Sequence, residues 1–151
     1  MKYFHLINGA RPEPAEYWGV NFEQHTGFFD GARNCECMFT PTHADHRRWV
    51  LLVEMKYCLA HNAESNARYA YDQLLTTLEV MERKGVIDRT KAHRVYFNIS
   101  LPEHGELAPF SSFVFSPDEI LELKEQNISL LGVNTLLIAT YAHILTPKVI
   151  E

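Results

Sequence analysis

The chain has 151 residues, of which 46% are hydrophobic and 22% are charged, and its formal net charge at pH 7 is −5. This composition excludes a disordered tail protein, and the length predicts a single domain that spans residues 1–151. The negative charge also counts against a protein that holds nucleic acid by electrostatic attraction alone.

Cysteine usage and the apolar segments of the chain indicate its compartment. The three cysteines, Cys35, Cys37 and Cys58, leave one unpaired in any disulfide scheme, and the N-terminus lacks the apolar run of a secretory signal. We therefore expect a cytoplasmic protein. Residues 127–146 contain no Asp, Glu, Lys or Arg, but polar residues interrupt them, so they predict a buried strand and its continuation and no membrane span.

Prolines and glycines divide the first thirty residues into short pieces, which are compatible with a helical turn at residues 14–18 and a strand or loop at residues 20–29. Residues 32–40 then alternate in polarity, which predicts a half-buried strand. A turn at residues 41–46 separates this strand from the apolar run at residues 48–57, which predicts the central strand.

Helical spacing dominates the middle of the chain. Over residues 66–84 the apolar side chains recur every three or four positions, which predicts an amphipathic helix. Ser65 can cap its first turn, and Gly85 can end it. The predicted apolar stripe consists of Ala67, Ala70, Tyr71, Leu74, Leu75, Leu78 and Met81.

The last part of the chain predicts two more strands and one more helix. Residues 92–100 and 133–140 have the character of strands, whereas prolines and a glycine make residues 101–112 an irregular loop. Ser116 begins a capping box for a short helix that ends near Gln126. The order strand, strand, helix, strand, helix, strand predicts an α/β (α+β) fold with a central mixed β-sheet flanked by helices.

Two charged residues interrupt the predicted central strand. Glu54 and Lys56 are two positions apart, so their side chains share one face of the strand, which Val50 and Leu52 otherwise make apolar. Desolvating a carboxylate and an ammonium group in such a run is costly, which indicates a functional role. If Glu36 on the preceding strand points to the same side, two carboxylates and an ammonium group meet at one end of the sheet.

These side chains are suited to phosphodiester cleavage. Carboxylate oxygens bind Mg²⁺ or Mn²⁺ and leave coordination positions for water and a phosphate oxygen. The sequence therefore predicts Glu36 and Glu54 as metal ligands, with Asp30 as the reserve acidic ligand. Lys56 is the predicted catalytic residue that positions water or stabilises charge on the phosphate. Additional acidic ligands from the first thirty residues could be Glu13, Glu16 or Glu23.

The pattern consists of an acidic residue on one strand, Glu-x-Lys on the next strand and a long helix after it. This pattern resembles that of the PD-(D/E)xK nuclease superfamily, whose fold is restriction-endonuclease-like. The resemblance covers about half the chain. In it, Glu36 and Glu54 take the places of the two acidic residues of the family, and Lys56 takes that of its lysine. Gln73 is similar in placement to a glutamine of the RecB-like branch, which implies an accessory catalytic role, although Thr77 stands where that branch has an aromatic residue.

The resemblance implies a metal-dependent nuclease that hydrolyses phosphodiester bonds of DNA or RNA with Mg²⁺ or Mn²⁺ as its cofactor. A domain of this size has little surface with which to enclose a duplex, so we expect a homodimer or a larger protein complex. The alternative is a catalytically inactive nuclease-fold module that binds a protein partner.

Other interpretations are also compatible with the sequence. The strand at residues 48–57 could lie at an edge of the sheet with its charges in solvent. A cysteine and a histidine could form a nucleophilic hydrolase. A transition metal could be bound by Cys35, Cys37, His43, Asp45, His46 and Cys58. A local basic patch could be formed by Arg47, Arg48, Arg68, Arg83, Lys84, Arg89, Lys91 and Arg94.

Overall fold

The computed structural model of the protein describes residues 4–10, 16–42, 49–89, 94–103, 115–140 and 143–145. These residues form two α-helices and eight β-strands. In chain order they are β1 (His5–Asn8), β2 (Tyr17–Asn21), β3 (Cys37–Pro41), β4 (Trp49–Met55), α1 (Ala63–Arg83), β5 (Arg94–Ser100), α2 (Pro117–Glu125), β6 (Ile128–Leu131), β7 (Thr135–Thr140) and β8 (His143–Leu145). Neither helix in these ranges combines the length and the apolar character that spanning a bilayer requires.

Two β-sheets organise the described chain. The larger sheet has the strand order β2-β3-β4-β5-β6, in which β2, β3 and β4 pair antiparallel whereas β4, β5 and β6 run parallel. The smaller sheet has the order β1-β7-β8. Because β4 pairs with β3 on one side and with β5 on the other, the predicted central strand is confirmed and the edge-strand interpretation is wrong.

The helices cover one face of the larger sheet. Val50 and Leu52 of β4 belong to the same core cluster as Leu74 of α1 and Leu123 of α2. All four side chains are buried. Both helices therefore lie on a single side of the sheet, and the apolar stripe that the sequence predicts for α1 is the surface that makes this contact.

The smaller sheet covers the opposite face. Leu51 and Val53 of β4 form a second core cluster with Leu136 and Ile138 of β7, and all four are fully buried. The predicted α+β fold class, with a mixed β-sheet and helices, is confirmed. The prediction of flanking helices did not include the smaller sheet, whose β-strands close the second face.

Helix α1 begins at Ala63 rather than at residue 66. A 3-10 turn at Ala60–Asn62 leads into it, and Ser65 is not its cap, because the Ser65 hydroxyl donates to the carbonyl of Asn62 (3.2 Å). Every residue of the predicted stripe is buried or half-buried. The helix ends as predicted, since Gly85 follows it with a φ of +76° that favours glycine.

Several element boundaries differ from the prediction. The strand predicted at residues 32–40 begins only at Cys37, and β2 occupies part of the region for which a helical turn was expected. The strand predicted at 133–140 begins at Thr135, and the sequence prediction missed the separate strand β6 that precedes it. The capping box of α2 is confirmed, with the N–H of Glu119 donating to the Ser116 hydroxyl. Most of the predicted loop at 101–112 and turn at 41–46 lies outside the described residues.

A buried asparagine connects the two sheets. Asn98 of β5 is fully buried, its Nδ2 donates to the carbonyl of Val133 (2.9 Å), and its Oδ1 accepts from the N–H of Val133 (3.2 Å). Val133 lies in the segment that leads from β6 of the larger sheet to β7 of the smaller one. The Asn98 side chain therefore fixes the segment in which the chain passes from the larger sheet to the smaller sheet.

Replacing Asn98 with Ala should lower the free energy of unfolding by about 1–3 kcal/mol, because it leaves the backbone groups of Val133 without their partner. Urea denaturation measures this change. Leu121→Ala, which removes an exposed side chain from α2, is the control and should change the value by less than about 0.5 kcal/mol. Equal effects of the two substitutions would contradict the connecting role of Asn98.

Candidate active site

The register of β3 and β4 sets Glu36 opposite Glu54. Cys37 pairs with Val53 in the antiparallel ladder, and the N–H of Glu36, one residue before β3, donates to the carbonyl of Val53 (3.1 Å). Residues that oppose each other in antiparallel strands direct their side chains to the same face. Both carboxyl groups accordingly line one cavity of about 260 Å³.

Glu54 carries a charge on a strand that is otherwise apolar. Its exposed fraction is only 6%, and Lys56, just past the end of β4, places its Nζ 3.1 Å from Glu54 Oε2. The backbone of Lys56 is fixed as well, because its N–H donates to the carbonyl of Ser100 at the end of β5 (2.9 Å). The acid and the amine that the sequence assigns to one face therefore meet as an ion pair.

Burial raises the pKa values of two carboxyl groups in the cavity. Burial raises the pKa of Glu54, and the hydrogen bond and charge of Lys56 offset only part of this effect. The pKa of Glu36 is also raised, first by burial and then by the negative charges of Glu54 and Glu23. Three carboxyl groups thus face one ammonium group, and a cation that enters the cavity relieves their repulsion.

Helix α1 fixes the segment that carries Glu36. Gln73 donates from Nε2 to the carbonyl of Asn34 (3.3 Å) and also hydrogen-bonds the Glu54 carboxylate. One turn later, the Thr77 hydroxyl accepts from the N–H of Cys35 (2.7 Å). Within the described residues, the buried Oε1 of Gln73 has no hydrogen-bond partner, so an acceptor at the cavity is left for a ligand or water.

The structure separates the acidic candidates into two groups. Glu23, one of the three additional acids, lines the cavity together with Glu36 and Glu54. The reserve ligand Asp30 does not, because its carboxylate lies 3.2 Å from the ammonium group of Lys84 and its side chain is 70% exposed. Among the other additional acids, Glu16 accepts from Thr42, and Glu13 lies outside the described residues.

The cysteines are poorly suited to nucleophilic or metal-binding roles. All three are free thiols. Burial raises the pKa of Cys35 far above its usual range and that of Cys37 to about 12, so neither is a thiolate at neutral pH. No three His, Cys, Asp or Glu residues in the described ranges are grouped so as to hold a metal ion by themselves. The remaining candidates of that cluster, at positions 43, 45 and 46, are not described.

Two residues beside the cavity were missed by the sequence analysis. The ring of Tyr69 lies 4.7 Å from the Nζ of Lys56 and 4.8 Å from the guanidinium carbon of Arg33. A signal for Tyr69 was available, because it lies four positions before Gln73 and so on the same face of α1. Arg33 had no comparable signal, since its position depends on the long-range contact between α1 and the segment before β3.

Two residues of the predicted basic patch are paired with glutamates in the described part of the chain. Arg68 pairs with Glu119 at 2.8 Å, and Arg89 pairs with Glu82 at 2.9 Å, on opposite parts of the helical layer. Positions 47, 48 and 91 are not described.

Comparison with known proteins returned no match: no family model fits this chain, and no curated protein and no solved structure matches it. The geometry of the cavity therefore carries the functional argument.

Replacing Glu54 with Gln should raise the free energy of unfolding at neutral pH in the absence of divalent cations. The pKa of Glu54 is raised above its ordinary value of 4.5, so its ionised form is the costly one in the folded protein. This cost is absent below about pH 4.5 and grows as the pH rises through the folded-state pKa.

The free energy of unfolding of Glu54→Gln should therefore exceed that of the native protein by an amount that increases with pH. Urea denaturation between about pH 4 and about pH 8 measures this difference. Glu125→Gln changes an exposed carboxyl group on α2 and is the control. An advantage of Glu54→Gln that is the same at every pH would show that burial of the charge is not its cause.

Proposed function

We propose that this protein is a metal-dependent nuclease that hydrolyses phosphodiester bonds of DNA or RNA. The observation that carries the proposal is a buried carboxylate, Glu54, which faces a second carboxylate, Glu36, across an antiparallel strand pair and lies 3.1 Å from the ammonium group of Lys56. A restriction-endonuclease-like fold is part of the proposal. It is supported by the mixed sheet, by the position of these groups at the end of a central strand, and by the long helix that follows.

The residues of the cavity fit a hard divalent cation such as Mg²⁺ or Mn²⁺. Glu36 and Glu54 supply carboxylate oxygens, and the pKa of each is raised first by burial, with the charges of Glu54 and Glu23 adding to the rise for Glu36. Mg²⁺ is commonly held by one or two carboxylates, with water and substrate phosphate completing its coordination, so a third protein ligand is not required. When bound, the ion would polarise the phosphate and lower the pKa of a bound water molecule.

The side chains of the chain have separate tasks in this proposal. Lys56 holds a phosphate oxygen and stabilises the negative charge that develops on it during attack. Glu36 is less buried than Glu54 and is the metal ligand nearer to solvent. Gln73 presents its unpartnered Oε1 to the same space, where it can orient water. Because the domain is small, we propose that a homodimer or a larger complex completes the substrate cleft.

The metal test comes first because it does not depend on knowing the substrate. Calorimetric titration of the native protein with Mn²⁺ should show a binding event that Glu54→Ala abolishes and that weakens as the pH is lowered, because protons compete for carboxyl groups of raised pKa. Glu64→Gln, an exposed carboxyl group on α1, should leave the binding unchanged. Identical titrations of native protein and Glu54→Ala would remove the metal site.

The cleavage test uses pooled DNA and RNA substrates with Mg²⁺ or Mn²⁺. Lys56→Ala should lower the rate by about 10²-fold or more, because it removes the group that stabilises charge on the phosphate, while Mn²⁺ binding persists. Lys124→Ala, an exposed lysine on α2, is the matched control. Equal cleavage by native protein and Lys56→Ala would refute the catalytic assignment. Absence of both metal binding and cleavage would favour the inactive module that binds a protein partner.

A further inference from the structure

Strand β2 forms an open edge of the larger sheet. It pairs with β3 on one side, and no strand in the described ranges pairs with it on the other. Four of its five residues are exposed, whereas every residue of β6, at the opposite edge of the same sheet, is buried or half-buried. Of the two edges, β2 is therefore the more accessible one.

Hydrogen bonds to β3 decide which backbone groups of β2 face outward. The N–H of Thr42 donates to the carbonyl of Glu16 (3.1 Å), and the N–H of Phe22 donates to the carbonyl of Glu36 (2.9 Å). Opposed residues of antiparallel strands alternate between pairs that exchange hydrogen bonds and pairs that do not. The residues at even positions of β2 therefore bond to β3, and those at positions 17, 19 and 21 direct their N–H and carbonyl groups to the open edge.

Strand β2 lacks the features by which edge strands commonly prevent pairing with another chain. Such strands carry charged residues or prolines. None of the five residues of β2 is charged or a proline, and Trp18 at its centre is 64% exposed. The edge thus presents hydrogen-bonding groups and an aromatic surface, with no charge of its own that would repel a second strand.

An apolar cavity of about 360 Å³ opens beside this edge. Its walls are apolar apart from His25 and include Val20, Phe22 and Met38. Trp18 is two positions from Val20 and so lies on the same face of β2. Because Trp18 is largely exposed, it does not fill the cavity of its own chain. Each copy therefore has a projecting indole group and an apolar cavity on one face of the same strand.

We propose that two copies of this chain associate through antiparallel pairing of their β2 strands, with Trp18 of each copy in the apolar cavity of the other. The pairing is centred on Gly19, which opposes Gly19 of the second copy. The contact is symmetric, as in most homodimers, and it joins the larger sheets of the two copies into one.

The register centred on Gly19 satisfies both the backbone and the side chains. Tyr17 then opposes Asn21 of the second copy, and these pairs and the Gly19 pair consist of residues whose backbone groups face the open edge. Trp18 opposes Val20 and shares its face, which brings the indole group to the cavity that Val20 lines. A shift by one residue would set the outward-facing groups opposite residues that already bond to β3.

This inference gives the homodimer of the proposed function an interface, and it rests on that part of the proposal and not on the nuclease chemistry. Five residues of strand and one indole group from each copy make a small interface. Small interfaces are typically weak, so we expect a dissociation constant on the order of 10 μM.

The first experiment is sedimentation velocity in EDTA and without nucleic acid, at protein concentrations from about 1 μM to about 300 μM. The native protein should change from monomer to dimer over this range. Trp18→Lys should weaken association at least about tenfold, because it places a charge at the edge and removes the indole group. Its urea midpoint at about 1 μM should equal that of the native protein, since the substituted side chain is exposed there.

Leu121→Lys, which changes a 56% exposed apolar residue on α2, is the matched control and should associate as the native protein does. A native protein that is monomeric at every concentration, or a dimer that Trp18→Lys leaves intact, would overturn the proposed interface.

Tryptophan fluorescence reports the position of the interface directly. The chain has two tryptophans, and Trp49 is fully buried. Iodide should therefore quench mainly Trp18 in the monomer, and dimer formation should reduce this quenching and shift the emission to shorter wavelength. A dimer in which Trp18 stays open to iodide would contradict the proposal. Protection of Trp18 in a monomer would also contradict it, because another segment of the same chain would then cover β2.

The register is tested with Tyr17→Cys and Asn21→Cys. Opposed residues of a hydrogen-bonded antiparallel pair lie about 5.5 Å apart at Cα, within the range of a disulfide. An oxidised mixture of the two variants should form linked dimers, whereas each variant alone should form no more than the native protein does. Equal linking by a single variant and by the mixture would refute the pairing centred on Gly19.

The outcomes for the interface and for the proposed nuclease are distinguishable. If the native protein dimerises through Trp18 but Lys56→Ala cleaves as the native protein does, the nuclease proposal fails and the interface stands. If Lys56→Ala loses cleavage while the native protein remains a monomer at every concentration, the interface fails and the catalytic assignment stands.

Discussion

Glu54 brings a carboxylate into a strand that other layers of the protein cover on both faces, and its ion pair with Lys56 offsets only part of the cost of that burial. Buried ion pairs are poor stabilisers of folds, and apolar residues of similar volume often serve stability as well or better. The chain nevertheless surrounds Glu54 with the ammonium group of Lys56 and a hydrogen bond from Gln73. Such an arrangement is better explained by a ligand that uses the charge than by a contribution to stability.

One face of α1 serves the whole site. Tyr69, Gln73 and Thr77 follow each other at intervals of four residues, so they form a row along the helix. From one end of the row to the other, they contact Lys56, the carbonyl of Asn34 and the N–H of Cys35. The threonine at the third position is short enough to reach backbone, so it fixes the segment before Glu36 in a way that a bulky aromatic side chain could not. The apolar stripe on the adjacent face holds this row in place against the sheet.

The predictable parts of the structure are those governed by local periodicity. The alternation around Glu54, the helical spacing of α1 and the capping box at Ser116 follow from neighbouring residues, and each was found from the sequence. The position of Glu36 opposite Glu54 depends on strand register, which long-range pairing decides. The smaller sheet was missed for the same reason, because β1 and β7 are parallel partners from opposite ends of the chain. Tyr69 lies outside the apolar stripe, so the pattern that identifies the helix does not mark it.

Strand β4 lies between two layers and is hydrogen-bonded to a neighbouring strand along each edge, and within the described residues the cavity that contains Glu54 lies at its carboxyl end. Among the described residues, a ligand of this carboxylate therefore approaches along the direction of the strand and not across a face of the sheet.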